Sequence, residues 1–372
     1  MPPKEQQTDS NTVTELFFAL LRCGIGIDEK LPYAPSPEQW EQLLDICEKQ
    51  AVIGIAYKGI ISIPQEQRPP KSILVTFFQA SETIKENNIR QNKIARVVAD
   101  KFTHDGFRCC ILKGQGIAQL YPDPYMRTCG DTDIWLDGDT SAILNYIRKY
   151  FPKCRPTYHH VDFPIKKGVE IEVHFTPSWM HSPLKNSRLQ KFFTEHASTQ
   201  FSNITESAEG TFPAPTLAFN RIYILLHIYR HLFQEGIGLR QLIDYHFVLD
   251  KGFTPLEKED TLKIIDKLGL TRFCAAVMYL LQNRFGLKEE KLLLPPDRKA
   301  GEFLLGEIMQ AGNFGMYDSR YAIVSNKAEF RHFLNSMQRI SRLTFHYPSE
   351  TFWSPYFKVR HFFWRKRHAP KC

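Results

Sequence analysis

The chain has 372 residues, of which 43% are hydrophobic, 24% charged and 13% aromatic. That is too apolar for a disordered chain and long enough for about two domains of ordinary size. Lys and Arg number 48 against 40 Asp and Glu, a net charge of +8, which invites a nucleic-acid or membrane-surface partner, while no apolar run approaches the ~18 residues of a membrane-spanning helix.

Met1 to Asn11 is polar and reads as a flexible tail, neither a signal peptide nor an anchor. Thr12 to Arg22 carries apolar residues at helical spacing. Ser36-Pro37-Glu38 starts a second helix, with a capping Ser, a Pro suited to the first turn and an acid at the positive dipole end. Trp40, Leu43, Leu44 and Cys47 mark its apolar face. Pro64 to Pro70 breaks the pattern, and a long helix without Gly or Pro follows from Lys71 to His104.

The character changes at Phe107. Arg108 to Leu112 reads as a strand that ends in Lys113-Gly114, and Gly116 to Tyr121 as one or two helical turns. Thr132 to Leu136 reads as a strand and Ser141 to Tyr150 as a helix. Thr157 to Phe163 and Val169 to Phe175 read as strands joined by the polar turn Lys166-Lys167-Gly168. Helical periodicity then returns over 187–196, 216–234, 238–249, 255–268, 271–285, 298–309 and 327–344. The expected organisation is a tail (1–11), an N-terminal helical segment (12–105), an α+β core (106–178), a C-terminal helical domain (179–350) and a basic aromatic tail (351–372). That last segment holds six basic residues and no acid, so it carries most of the charge excess. The eight cysteines form no C-x-x-C pair, which fits a reduced, cytoplasmic setting.

Three acids on two strands carry the strongest chemical signal. Asp131 and Asp133 are two apart in Gly130-Asp131-Thr132-Asp133, so on a strand both face one way, with α-carbons ~6.5–7 Å apart. In Val169 to Phe175, Glu170, Glu172 and His174 share one face, and the apolar residues share the other. Carboxylates brought together in this way repel unless a cation lies between them. A hard divalent ion such as Mg2+ or Mn2+ suits the oxygen donors and also binds phosphates. The same patterns fit a solvated turn and the wet face of a sheet. Ile111-Leu112-Lys113-Gly114-Gln115-Gly116 is an apolar strand entering a glycine turn that lets backbone N–H groups approach a phosphate, or an ordinary strand-to-helix turn. It is neither a P-loop nor a dinucleotide fingerprint. Arg127 is placed to reach a phosphate or to pair with Asp123.

The order of these pieces resembles the DNA polymerase β-like nucleotidyltransferase superfamily. Within it, the chain is similar to an uncharacterised bacterial branch with the pattern LKG…YPDP…R…GDxD…ExH. That pattern is met here by Leu112-Lys113-Gly114, Tyr121-Pro122-Asp123-Pro124, Arg127, Gly130-Asp131-Thr132-Asp133, His160 and Glu172-Val173-His174. The likeness extends loosely through His231-Leu232-Phe233 and Gly238 to Asp244. It implies a small mixed sheet with flanking helices and transfer of an NMP from an NTP to a hydroxyl, with pyrophosphate released. Asp131, Asp133 and Glu172 would hold the Mg2+ or Mn2+ ions. The turn Lys113-Gly114-Gln115 and Arg127 would hold the triphosphate. The superfamily usually shows Gly-Gly or Gly-Ser where this chain has Gly114-Gln115, and its acid pair lies nearer the turn.

His160, Glu170, His174, His231, Arg240 and Asp244 are further candidates for the cleft. His227 and His231 share a helix face but lack the intervening Glu of a zinc protease. Arg240 and Asp244, one turn apart, fit an i,i+4 pair. The acceptor stays open between a small molecule, a protein and RNA, and nothing in the sequence sets an oligomeric state. Two other readings remain: a non-catalytic nucleotide- or partner-binding module on the same fold, and a nucleic-acid-binding protein that uses the basic C-terminal tail. The aromatic residues of that tail fit base stacking or the anchoring of a terminal helix.

Overall fold

A computed structural model describes residues 4–163, 168–321 and 337–368. The opening helices follow the expected signals. Helix α1 spans Lys4–Gly24, so it begins inside the stretch expected to be a tail. After Pro2-Pro3 nothing in 4–11 forbids helix, and polarity alone does not break one. Ser36 caps α2 (Pro37–Lys49) in a reciprocal box with Gln39. Helix α3 (Ile53–Ser62) packs between α1 and α4, and α4 (Lys71–His104) has the expected bounds.

The sheet is mixed, four-stranded and ordered β1-β2-β4-β3. Its strands are β1 (Cys109–Leu112), β2 (Thr132–Leu136), β3 (His160–Phe163) and β4 (Ile171–His174). Strand β2 runs antiparallel to β1 and parallel to β4, and β3 closes the edge antiparallel to β4. The turn expected at Lys166-Lys167 lies outside the described residues. Strict alternation sends Ile134, Leu136, Ile171, Val173 and Val161 to one face. There Val98 and Phe102 of α4 and Ile143 and Ile147 of α6 (Thr140–Tyr150) cover them. Each such side chain stabilises by about 1.5–3 kcal/mol on burial. The opposite face is apolar at Cys110, Leu112 and Trp135, where it joins the larger helical core. It becomes polar towards β4 and β3.

Helix α5 is short (Gly114–Ala118) and begins two residues earlier than the spacing suggests. Helix α7 (Pro183–Ser202) leads into a hairpin, β5 (Ile204–Ser207) with β6 (Gly210–Pro213), that the periodicity does not announce. Its strands are four residues each, too short for alternation to stand out. The hairpin braces the glycine turn: a Cβ on Gly116 would lie 2.9 Å from that of Ala214, so only glycine fits there.

The remaining helices are α8 (Leu217–Gln234), α9 (Leu239–Asp250), α10 (Pro255–Lys267), α11 (Thr271–Phe285), α12 (Arg298–Ala311), α13 (337–343) and α14 (Pro348–His368). Residues 327–336 of the expected 327–344 helix lie outside the described residues. The N-terminal helices join this bundle: Phe18 meets Phe285 edge-on at 5.6 Å, and Glu15 pairs with Arg284 at 2.7 Å. Among the described residues no helix is long and apolar enough to cross a membrane.

Helix α14 contains the basic aromatic segment. Its inner side docks through Phe357, stacked on Trp179 at 4.0 Å, while Phe352, Phe362 and Phe363 stay exposed. The docking is sealed by Glu350, whose Oε1 accepts from the His181 N–H at 2.7 Å while its Oε2 has no partner among the described residues. Burial pushes this carboxyl up to about 7 from 4.5, against the opposing pull of the His181 N–H and Lys185. Between those two pH values the folded chain therefore binds more protons than the unfolded one, and stability falls as pH rises through the window. The cost of deprotonating it is roughly 3 kcal/mol. Glu350→Gln is expected to gain stability relative to the parent by about that amount from pH 5 to pH 8. Urea midpoints at the two pH values check it; an equal offset at both would rule the protonated carboxyl out.

Candidate active site

The register of the sheet assembles the site. Asp133 of β2 is the direct neighbour of Glu172 on the parallel strand β4, and Asp162 of β3 is the neighbour of Glu172 on the other side. Trp135, His174 and His160 form the next row. Because neighbours in register share a face, Asp133, Glu172, His174 and His160 converge at the polar end of the sheet.

Asp133 is almost fully buried, at 1% exposure. Its Oδ1 receives Lys113 Nζ at 2.8 Å and His174 Nε2 at 2.8 Å. His174 Nε2 also lies 3.3 Å from Glu172 Oε2, and His160 Nδ1 lies 3.2 Å from the same oxygen. Burial pushes the Asp133 carboxyl up, but Lys113 and His174 outweigh it and hold the group below its ordinary value. Burial acts likewise on Glu172, where the hydrogen bond from His174 and its charge hold the group down. Burial pushes His174 down, and the two carboxylates more than restore it, so it is raised above 6.5. The resting site therefore sets two carboxylates against His174 and Lys113. Burial and the neighbouring His174 push His160 down to about 4, so it is neutral at pH 7.

Its tautomer is set from outside. Trp179 Nε1–H, which can only donate, bonds His159 Nδ1 at 3.1 Å, so the His159 proton sits on Nε2. That atom faces His160 Nδ1 at 3.1 Å. His160 Nδ1 and Glu172 Oε2 thus present lone pairs to each other, an arrangement that a cation relieves. The ligand atoms of Asp133, Glu172 and His174 lie within 4.8 Å of one another, as do those of His160, Asp162 and Glu172. The carboxylates of these groups therefore fit a divalent cation, while His174 Nε2 donates to Asp133. Asp131 lies outside both groups: it precedes the first residue of β2, where the ladder no longer dictates which way the side chain points.

A cleft of about 750 Å3 opens over this end of the sheet. Lys113, Gly114, Arg127, Asp131, Asp133, His160, Glu170, Glu172, His231, Arg240 and Asp244, all singled out in the sequence, line it. Lys113 and Gly114 turn the chain at φ +51° and +24°, so the Lys113 backbone holds a conformation that L residues rarely adopt. His174 stands behind Asp133 instead of at the cleft wall. Gln115 is turned away: its amide donates to Gln91 Oε1 at 2.6 Å, and Gln91 in turn donates to the Gly130 carbonyl.

Two pairings differ from the expectation. Arg127 does not meet Asp123, which takes Lys58 at 3.2 Å. Instead its Nε and Nη2 grip Asp244 Oδ1 and Oδ2 at 2.7 Å each, with the Tyr121 hydroxyl donating to Oδ1 at 2.6 Å. Arg240 does not pair with Asp244 either; its Nη1 donates to the Thr128 carbonyl at 2.9 Å. A bidentate guanidinium-carboxylate fork in a buried place outcompetes an i,i+4 pair, which contributes only ~0.2–0.5 kcal/mol.

Among the lining residues that the sequence did not single out are Arg230, Gln234 and Trp179. A signal for two of them existed. His227, Arg230, His231 and Gln234 follow one another at i, i+3, i+4 and i+7 along the otherwise apolar α8. Ser354, Phe357, Lys358 and His361 of α14 complete the rim.

The model of a protein family described as "Uncharacterised nucleotidyltransferase" matches residues 36–286, a span that runs from the cap of α2 past the end of α11. No curated protein sequence matches the chain. Among solved structures, the chain is similar to an antigenic nucleotidyltransferase-like protein from Paracoccidioides brasiliensis. Identity is 12%, coverage 54% of this chain and 94% of that chain, and the TM-score 0.31.

Proposed function

The chain belongs to this family of uncharacterised nucleotidyltransferases, and from that premise we propose that it is a metal-dependent enzyme that moves an NMP from an NTP to a hydroxyl acceptor. The observation that carries the proposal is the pairing in register of Asp133 with Glu172, with His174 beside them, at the floor of a cleft entered by the Lys113-Gly114 turn.

Asp133 and Glu172 would hold Mg2+ or Mn2+, with Asp131 facing the same space. A bound divalent cation supplies charge neutralisation at the α-phosphate and acidifies the attacking hydroxyl. Gly114 and Lys113 would bind the β- and γ-phosphates. The acceptor oxygen attacks the α-phosphorus, the bond to the bridging oxygen of the β-phosphate breaks, and pyrophosphate leaves. Glu172, more open than Asp133, takes the hydroxyl proton. His174 orients both carboxylates, and Trp179, through His159, orients His160. Arg127 acts at one remove by fixing α9 to the loop that precedes β2.

Incubation with each α-labelled NTP and Mg2+ is expected to give pyrophosphate and a labelled product with one nucleotide, and chelation should abolish both. Failure of all four nucleotides to bind at millimolar concentration would sink the proposal. One observation favours a second reading: Lys113 and His174 already neutralise Asp133, as a non-catalytic nucleotide-binding module would require. That reading expects NTP binding without turnover for any acceptor.

A further inference from the structure

Helix α14 has apolar residues on two sides, and only one side docks. On the inner side Thr351, Ser354 and Phe357 are buried, and Phe357 stacks on Trp179. Phe352, Tyr356, Val359 and Phe363 follow one another at steps of four, three and four residues, which aligns them along the other side of the helix. All four stay open, between 48% and 74% exposed. At 1.5 Å per residue their stripe runs roughly 16 Å. A helix packed on a globular body ordinarily turns its charged and polar side chains outward, so an outward aromatic stripe marks an interaction surface.

The charge beside the stripe says what it meets. Arg360 stands one turn from Tyr356, and Lys366 and Arg367 stand one turn from Phe363, so these cations border the stripe. All three are exposed, and no acid lies between Thr351 and Cys372 to balance them. Lys366 Nζ lies over the Phe362 ring at 4.6 Å, so cation and ring are offered together. A second copy of the chain would set these cations against their own kind. Single-stranded nucleic acid would meet the charge, but its carriers hold the strand in a groove lined by rings. Here the convex side of a helix presents phenyl and isopropyl groups. An anionic bilayer meets both halves: apolar side chains sink to the acyl boundary, while Lys and Arg stay level with the phosphates.

We infer that the outer face of α14 is a membrane-association surface that lies on an anionic lipid bilayer without crossing it. Vesicle binding does not depend on the transfer reaction proposed above.

The intact chain is mixed with vesicles of phosphatidylcholine, alone or with phosphatidylglycerol, and binding is read by flotation. The parent is expected to bind the anionic vesicles at least about tenfold more tightly than the neutral ones. Raising salt from about 0.1 M to about 1 M, which shortens the Debye length from ~10 to ~3 Å, should remove that preference. Phe352→Ser with Phe363→Ser should weaken binding at least ~tenfold. Lys366→Glu with Arg367→Glu should weaken it at least ~25-fold. Both double variants should melt with the parent, because the replaced side chains are exposed. Phe352→Leu with Phe363→Leu should keep vesicle binding, which separates lost apolar surface from lost fold. No binding to anionic vesicles at millimolar lipid, equal affinity for neutral ones, or parent-like binding by either weakened variant would overturn the inference. So would RNA that displaces the parent from vesicles and fails to bind the Phe352→Ser, Phe363→Ser variant, since the stripe would then be a nucleic-acid surface. A dimer in sedimentation that the same variant dissolves would overturn it too, because a second copy would then cover this face.

Discussion

Asp133→Asn is expected to lower NMP transfer by at least about 1,000-fold with the fold retained, which corresponds to roughly 4 kcal/mol of lost transition-state stabilisation. Asn keeps the volume and one acceptor oxygen, so His174 and Lys113 are still partly met, yet the charge that would hold a cation beside Glu172 is gone. Asp133→Ala is the poorer test: it leaves His174 and Lys113 facing a buried void and would confuse lost chemistry with lost structure. Pyrophosphate release at saturating NTP and metal reads the effect, with near-ultraviolet circular dichroism as the check on packing. Activity within tenfold of the parent would mean that the sheet's paired acids do not hold the metal.

Asp244→Ala is expected to destabilise the protein by about 3–5 kcal/mol, among the largest costs of any single change here. The substitution strands the Arg127 guanidinium, which is 4% exposed, and removes the acceptor of the Tyr121 hydroxyl. The damage should reach the site as well. The Arg127–Asp244 fork ties α9 to the loop that leads into β2, and α9 carries Arg240 and Gln241. Urea denaturation measures the loss. The double variant Arg127→Met with Asp244→Leu should recover most of it, because an apolar pair of similar volume avoids the burial of charge. A midpoint unmoved by Asp244→Ala would show that the fork contributes nothing to folding.

Much of the site was legible because its signals are local. The alternation of Glu170, Glu172 and His174 with Val169, Ile171 and Val173 specifies which residues share the polar face of the strand, whatever strand lies alongside. The run without Gly or Pro over 71–104 and the capping residues Ser36 and Pro37 likewise act within a few residues of themselves. The missed pairings are distant ones. Asp244 lies 117 residues from Arg127 along the chain, and no periodicity links them. From the sequence, each residue had a nearer partner of the right charge: Asp123 for Arg127, Arg240 for Asp244.

The sequence by itself determined the elements and the order of the chemical groups along them: a glycine turn, an acid on one strand, an acid and a histidine on a later one. Only the tertiary structure decided that β2 and β4 lie side by side in parallel, that Asp133 stands level with Glu172, and that the His174 ring meets both. It also brought Arg230, Arg240 and Gln241 to one cleft, where among the described residues both Nε groups and the Gln241 amide have no hydrogen-bond partner. The physical reason is range. Helix caps and strand alternation are settled by dihedral preferences and neighbours within a turn or a ladder step, whereas strand partners and buried ion pairs are chosen when whole apolar faces close on one another.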